Sequence, residues 1–268
     1  MRRLSTCMVA MALLMSACGG SNETQTVSMD GLEFDSVVVD TTMALGTSTD
    51  APQCHIRLSV QYAKGKNEQQ VNNAIVHSGI LVPDYFAIGR ENLSMEHVVD
   101  SFVGRYLNDY QNVYGDFYRL DKEHASLYNN DYILSTHTQK GKKDIVIYLA
   151  NSYLHAGGSY GSTITIAKNI DVETGKIVEL KDVFVPGYEQ QLCELIEEKL
   201  LKRFDVKTLD ELHKQSVFSG IDIYAPENFM LEEDQMTFIY VEDEVAPHAL
   251  GEIRISIPYN ELNGILKK

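Results

Sequence analysis

The sequence predicts an α+β fold in which antiparallel sheets pack with amphipathic helices in two subdomains. Three observations carry that expectation. Strand and helix patterns come in blocks rather than in βαβ alternation, neighbouring strand patterns are joined by hairpin-sized turns, and the helical patterns carry a single apolar stripe. From Cys54 to Tyr62 strict alternation puts Ile56, Leu58, Val60 and Tyr62 on one face and His55, Arg57, Ser59 and Gln61 on the other. A helix is expected from Glu68 to Ser78, closing near Gly79 and Pro83. Another starts after Ser94, an N-cap with Glu96 in the first turn. Its apolar positions Val98, Val99, Phe102, Val103, Tyr106, Leu107 and Tyr110 recur over roughly three and a half turns. Strands follow at Tyr128 to Gln139 and Asp144 to Tyr153, joined by Lys140-Gly141-Lys142-Lys143, then at Ser162 to Ile170 and Ile177 to Leu180. Helix returns at Tyr188 to Phe204, with a shorter one from Thr208. Strands at Met236 to Val241 and Glu252 to Ile257 and a helix at Tyr259 to Leu266 end the chain.

The N-terminus reads as an export leader. Arg2 and Arg3 form a charged n-region and Met8 to Met15 an apolar run too short to span a bilayer. Leu14-Met15-Ser16-Ala17-Cys18 resembles a bacterial lipobox, with Met15 where Leu is commonest; an ordinary secretory signal cut at a small-x-small site is the alternative. The resemblance implies removal of residues 1–17 and lipidation of Cys18, hence a protein held at the bacterial envelope, the outer membrane being the expected site. Residues 18–50 are small and polar enough for a tether, with one strand, Leu32 to Val39. The remainder divides into subdomains 51–150 and 151–268, with the junction near residues 140–155. Cys54 and Cys193 are left as thiols that either join the two halves or sit as small buried groups.

Charge narrows the partners. The 268 residues carry 23 Lys+Arg against 38 Asp+Glu, a net charge of −15, and loss of Arg2 and Arg3 makes the mature chain more acidic still. A nucleic-acid binder needs a basic face, so no nucleic-acid partner is expected. No 20–50-residue repeat is visible, which argues against a solenoid.

A resemblance emerges at Tyr153-Leu154-His155-Ala156-Gly157-Gly158-Ser159-Tyr160-Gly161. With Asp171 to Lys176, Leu180 to Phe184, Phe229, Glu244 to Gly251, and Ile257-Pro258-Tyr259 with Leu262, these residues resemble the DUF3298 family. Cys54 to Tyr148 resembles the DUF4163 module that commonly precedes it. The resemblance implies kinship with the extracellular part of a lysozyme-sensing anti-sigma factor and the non-catalytic portion of a peptidoglycan deacetylase. Tyr160 stands where the family commonly has histidine.

The residues point to binding rather than catalysis. Gly-x-Ser-x-Gly spacing at Gly157 to Gly161 fits a nucleophile elbow, but that elbow turns from strand to helix and here another strand pattern follows. The eight histidines show no metal-ligand spacing, so no metal, cofactor or catalytic residue is assigned. Glu232-Glu233-Asp234 and Glu242-Asp243-Glu244 read either as solvated turns or as an anionic surface for a cationic protein such as lysozyme. The alternative ligand is peptidoglycan, stacked on tyrosines. The candidate ligand-binding residues are Tyr153, His155, Ser159, Tyr160, Asp171, Glu242, Asp243, Glu244 and His248. Gly157, Gly158 and Gly161 read as structural or as a ligand cradle, structural being favoured.

Overall fold

The structure, a computed structural model, describes residues 29, 31–86 and 93–268. The leader, Cys18 and the first part of the segment 18–50 lie outside the described residues. A six-stranded sheet runs in the order β1 (Leu32–Ala44), β2 (Gln53–Gly65), β3 (Asn130–Lys140), β4 (Ile145–Ala156), β5 (Ser162–Asp171) and β6 (Lys176–Ile177). Helices α1 (Glu68–Val76) and α2 (Met95–Leu120) cover one face. Then come α3 (Leu180–Val183), α4 (Glu189–Arg203) and α5 (Leu209–Lys214), a three-stranded antiparallel sheet β7 (Phe229–Leu231), β8 (Gln235–Tyr240) and β9 (Ile253–Pro258), and α6 (Tyr259–Leu262). The α+β class is therefore the observed one. Among the described residues no helix is long and apolar enough to cross a membrane.

Local rules account for most elements. Ser94 caps α2 by accepting from the His97 N–H at 3.3 Å, and Thr208 caps α5 by accepting from the Glu211 N–H at 3.2 Å. Cys54, Ile56, Leu58 and Val60 are fully buried, as the alternation requires, while His55, Arg57 and Ser59 face outward; the alternation fails at the next two positions, where Gln61, expected outward, is buried and Tyr62, expected inward, is only half-buried. Helix α2 extends ten residues past Tyr110, and beyond the sheet its Val113, Phe117 and Leu120 are exposed.

Four expectations change. The first concerns strand direction: β2 and β3 pair in parallel, because the chain between them crosses over through α1 and α2 instead of turning back in a hairpin. The second is the tether, since Leu32–Ala44 pairs along all thirteen residues with β2 and its Leu32 and Phe34 enter the core. As an edge strand it keeps polar residues on its open side, which is why it reads as low-complexity sequence. Third, the sheet runs unbroken through residues 140–155, and the second sheet with its helices is built from residue 180 onward. Finally, Leu180 begins a helix instead of ending a strand, because Glu179 and Asp182 form a capping box.

Strand β4 is buried on both faces. Val146, Tyr148 and Ala150 join the core under α1 and α2, whereas Ile147 and Leu149 meet Ala167, Met230 and Ile239 in a seam between the two sheets. Two asparagines stitch that seam. Asn228 accepts from the Ala167 N–H at 2.7 Å and donates to the Thr165 carbonyl at 2.7 Å. Asn169 donates to the Phe229 carbonyl and accepts from the Leu231 N–H, both at 2.8 Å. Cys54, in the first core, and Cys193, on α4, are both free thiols, so the two halves are joined by packing rather than by a disulfide. Burial pushes the Cys54 thiol up to about 12.

Candidate functional site

Two of the signature glycines are placed by close packing. Gly157 ends β4 with φ +70°, and a Cβ there would lie 1.8 Å from the Leu127 carbonyl oxygen. At Gly161 a Cβ would fall 2.4 Å from the Tyr153 ring, so the absence of a side chain makes room for that ring. Gly157 lets the β4–β5 hairpin settle onto the 3₁₀ turn Ala125–Tyr128 and Gly161 makes room for Tyr153, so close packing accounts for these two, whereas a Cβ at Gly158 would meet only an ordinary contact at 3.6 Å.

The hairpin separates two clusters. On one side, Tyr160 lies over His248 with ring centroids 4.4 Å apart. His248 Nδ1 is 3.0 Å from Asp243 Oδ2 and 3.6 Å from Glu242 Oε1, and the other oxygen of Glu242 accepts from the Thr163 N–H at 2.8 Å. A loop of the second sheet is thereby latched to the hairpin of the first. Glu242, Asp243 and His248 each present one ligand atom within 4.8 Å of the others, a set that could hold a cation and that spacing along the sequence did not single out. The same geometry is satisfied by an ion pair. The hydrogen bond to Asp243, with the Glu242 charge adding to it, holds the His248 imidazole above its ordinary value. A raised value means the latch is fully made below the unfolded histidine's pKa and is lost as pH rises through the folded one. NMR titration of Asp243→Asn is therefore expected to move the His248 midpoint down toward the ordinary value of about 6.5. An unmoved midpoint would show that Asp243 is not its partner.

On the other side a cleft of about 670 Å³ opens between the start of β2, the 3₁₀ turn and the end of β4. Asp50, Glu123 and Asp131 line it with His55 and His155, and no lysine or arginine is among its lining residues. His155 donates from Nε2 to the Gly158 carbonyl at 2.9 Å, and its Nδ1 faces Asp131 at 3.9 Å, so neither ring nitrogen serves Ser159. With β5 following directly, Gly-x-Ser-x-Gly here is a hairpin and not an elbow.

The nine candidate residues do not converge in one place. Tyr160, Glu242, Asp243 and His248 form the latch, His155 belongs to the cleft, Tyr153 supports Gly161, and Ser159 is exposed at the tip. Glu244 folds its own loop, accepting from the Val241 N–H at 2.7 Å and from the Tyr224 hydroxyl. Asp171 sits at the opposite end of β5, roughly 30 Å along the strand. There it accepts from the N–H groups of Glu173 and Thr174 at 3.0 and 2.9 Å. Sequence reasoning missed Asp50, Glu123 and Asp131, and left His55 only as an outward position of an alternating strand.

The fold defines the class of protein: two sheets sharing one seam, with an acidic cleft at the open end of the larger sheet. Residues 181–260, most of the second unit, match the family described as "Protein of unknown function (DUF3298)". The chain is similar to a crystal structure of a DUF3298 family member from Bacteroides fragilis, at 26% identity and a TM-score of 0.79, over 89% of this chain and 95% of that one. A DUF3298 family protein from Pseudomonas aeruginosa shares the fold at 20% identity and a TM-score of 0.60, over the same shares of the two chains. No curated protein matches the sequence.

Proposed function

We propose that the protein is a non-catalytic, lipid-anchored binding protein of the bacterial envelope that recognises a cationic protein, lysozyme being the concrete case. The observation that carries this reading is the cleft walled by Asp50, Glu123 and Asp131 without a lysine or arginine, with Asp243 and Glu244 exposed elsewhere on the surface, on a chain of net charge −15. Anionic walls at close quarters concentrate the field, speed encounter with a cationic surface and set its orientation. The lipobox-like leader supplies the anchor, and the resemblance of residues 54–148 to the DUF4163 module supports kinship with lysozyme-sensing proteins. Calorimetry with lysozyme is expected to give a heat that falls from low to high salt. No heat at micromolar concentrations would remove lysozyme as the partner.

A second reading rests on Tyr160, which is 67% exposed although its ring packs at a tilt against His248. A ring held in that way can receive a sugar face. Retention on purified peptidoglycan, abolished by Tyr160→Ala, would favour the glycan over the protein.

A further inference from the structure

The geometry points to the cleft as a guanidinium site, in which Asp131 and the two imidazoles beside it receive an arginine side chain of the partner. The inference rests on the cationic-partner reading and names the group that is bound.

Strand register builds the site. His55 pairs with Asp131 across the parallel β2–β3 ladder, and Asp131 pairs with His155 across β3–β4, so the three side chains form one row. That row lies on the face opposite Cys54, Ile56 and Tyr132, which are buried. Asp131 Oδ1 is 3.6 Å from His55 Nδ1 and Oδ2 is 3.9 Å from His155 Nδ1, both too long for a hydrogen bond.

The tautomers follow from what the other ring nitrogens touch. His55 Nε2 is 2.9 Å from Asp40 Oδ1, and Arg57 Nε is 2.9 Å from the other Asp40 oxygen. His155 Nε2 is 2.9 Å from the Gly158 carbonyl oxygen. A carboxylate and a carbonyl only accept, so both rings donate from Nε2, and in the neutral ring Nδ1 is left as a lone pair. Two lone-pair nitrogens and two carboxylate oxygens therefore face one another. Among the described residues no donor stands between them. Mutually facing acceptors are unfavourable until water or a ligand brings hydrogens to them.

Among possible occupants, a guanidinium fits best. Its planar edge carries N–H groups that meet both oxygens of one carboxylate and leaves further N–H groups directed to either flank. A lysine ammonium is a point charge that reaches one flank at a time. The ligand atoms of His55, Asp131 and His155 are not gathered as a metal set: among the described residues only Glu242, Asp243 and His248 bring theirs within 4.8 Å of one another.

The test compares oligo-arginine and oligo-lysine peptides of equal length, titrated into the full chain at fixed salt. The arginine peptide is expected to bind at least about tenfold tighter, and Asp131→Asn to abolish that preference. Equal affinities for the two peptides, or a preference that survives Asp131→Asn, overturn the guanidinium site and leave the cationic-partner reading standing. Loss of lysozyme binding with the preference intact would instead remove only lysozyme. Should Asp131→Asn fail to fold, nitrogen NMR of the unaltered chain with methylguanidinium decides, since the Nδ1 signals of both His55 and His155 must move and unmoved signals overturn the site. Free arginine, titrated in parallel, separates a small guanidino compound, which would match the peptide's affinity, from a protein side chain, which would exceed it.

Discussion

Gly157→Ala is expected to lower stability by about 2–4 kcal/mol, measured as a shift in the urea midpoint at constant slope. Two costs combine. The residue holds φ +70°, where a side chain costs of order 1–2 kcal/mol. The added carbon would also lie 1.8 Å from the Leu127 oxygen and 2.5 Å from its carbonyl carbon. Both are backbone atoms, so no rotamer change relieves the overlap, and either the hairpin or the turn Ala125–Tyr128 must move. Because His155 is two residues away and Ser126 and Asn129 line the cleft, the displacement reaches the site as well as the fold. Gly158→Ala is the control. Its added carbon meets nothing nearer than the Tyr160 oxygen at 3.6 Å, and a small change is expected. Equal losses in the two variants would show that close approach is not what selects glycine at 157.

Asn169→Ala is expected to cost about 2–4 kcal/mol, because it strips two buried backbone groups of their partners at once. Asn169 is 1% exposed and substitutes for a strand: its amide bonds the Phe229 carbonyl and the Leu231 N–H, both on the edge of β7 that β8 leaves open. Truncation leaves that carbonyl and that N–H buried, too deep in the seam for bulk water to replace the amide. Asn169→Asp separates the two bonds, since a carboxylate keeps the acceptor for Leu231 and loses the donor to Phe229. Denaturation of both variants checks this. A loss below about 1 kcal/mol for alanine would mean that the seam is held by Ile147, Leu149, Met230 and Ile239 alone.

Much of the fold is legible from local rules. Period-two alternation at residues 54–60 and three-to-four spacing from Val98 to Tyr110 report which side of each element is buried, because burial acts on a face and a face has a fixed period. Capping at Ser94 and Thr208 is equally local, as the side chain and the N–H it serves are three residues apart. Short or edge elements were harder. Phe229–Leu231 has only three residues, too few for a period, and Leu32–Ala44 carries its polar side outward along the sheet edge. Of the candidate site, the chain-local part was visible: Glu242, Asp243 and His248 lie within seven residues of one another and do come together.

The sequence by itself determined the α+β class, the outward placement of His55, the acidic surplus and the structural role of Gly157 and Gly161, each a property of a residue and its near neighbours. Only the tertiary structure decided that β3 lies between β2 and β4, with β2 alongside it in parallel. That pairing sets Asp131 between two histidines lying 76 positions before it and 24 after it in the chain. Register across a crossover is chosen by the packing of α1 and α2 on the whole sheet, and no local pattern encodes it. The net charge carries the expectation of a cationic partner, and the register supplies the row of His55, Asp131 and His155 on which the proposed guanidinium site rests.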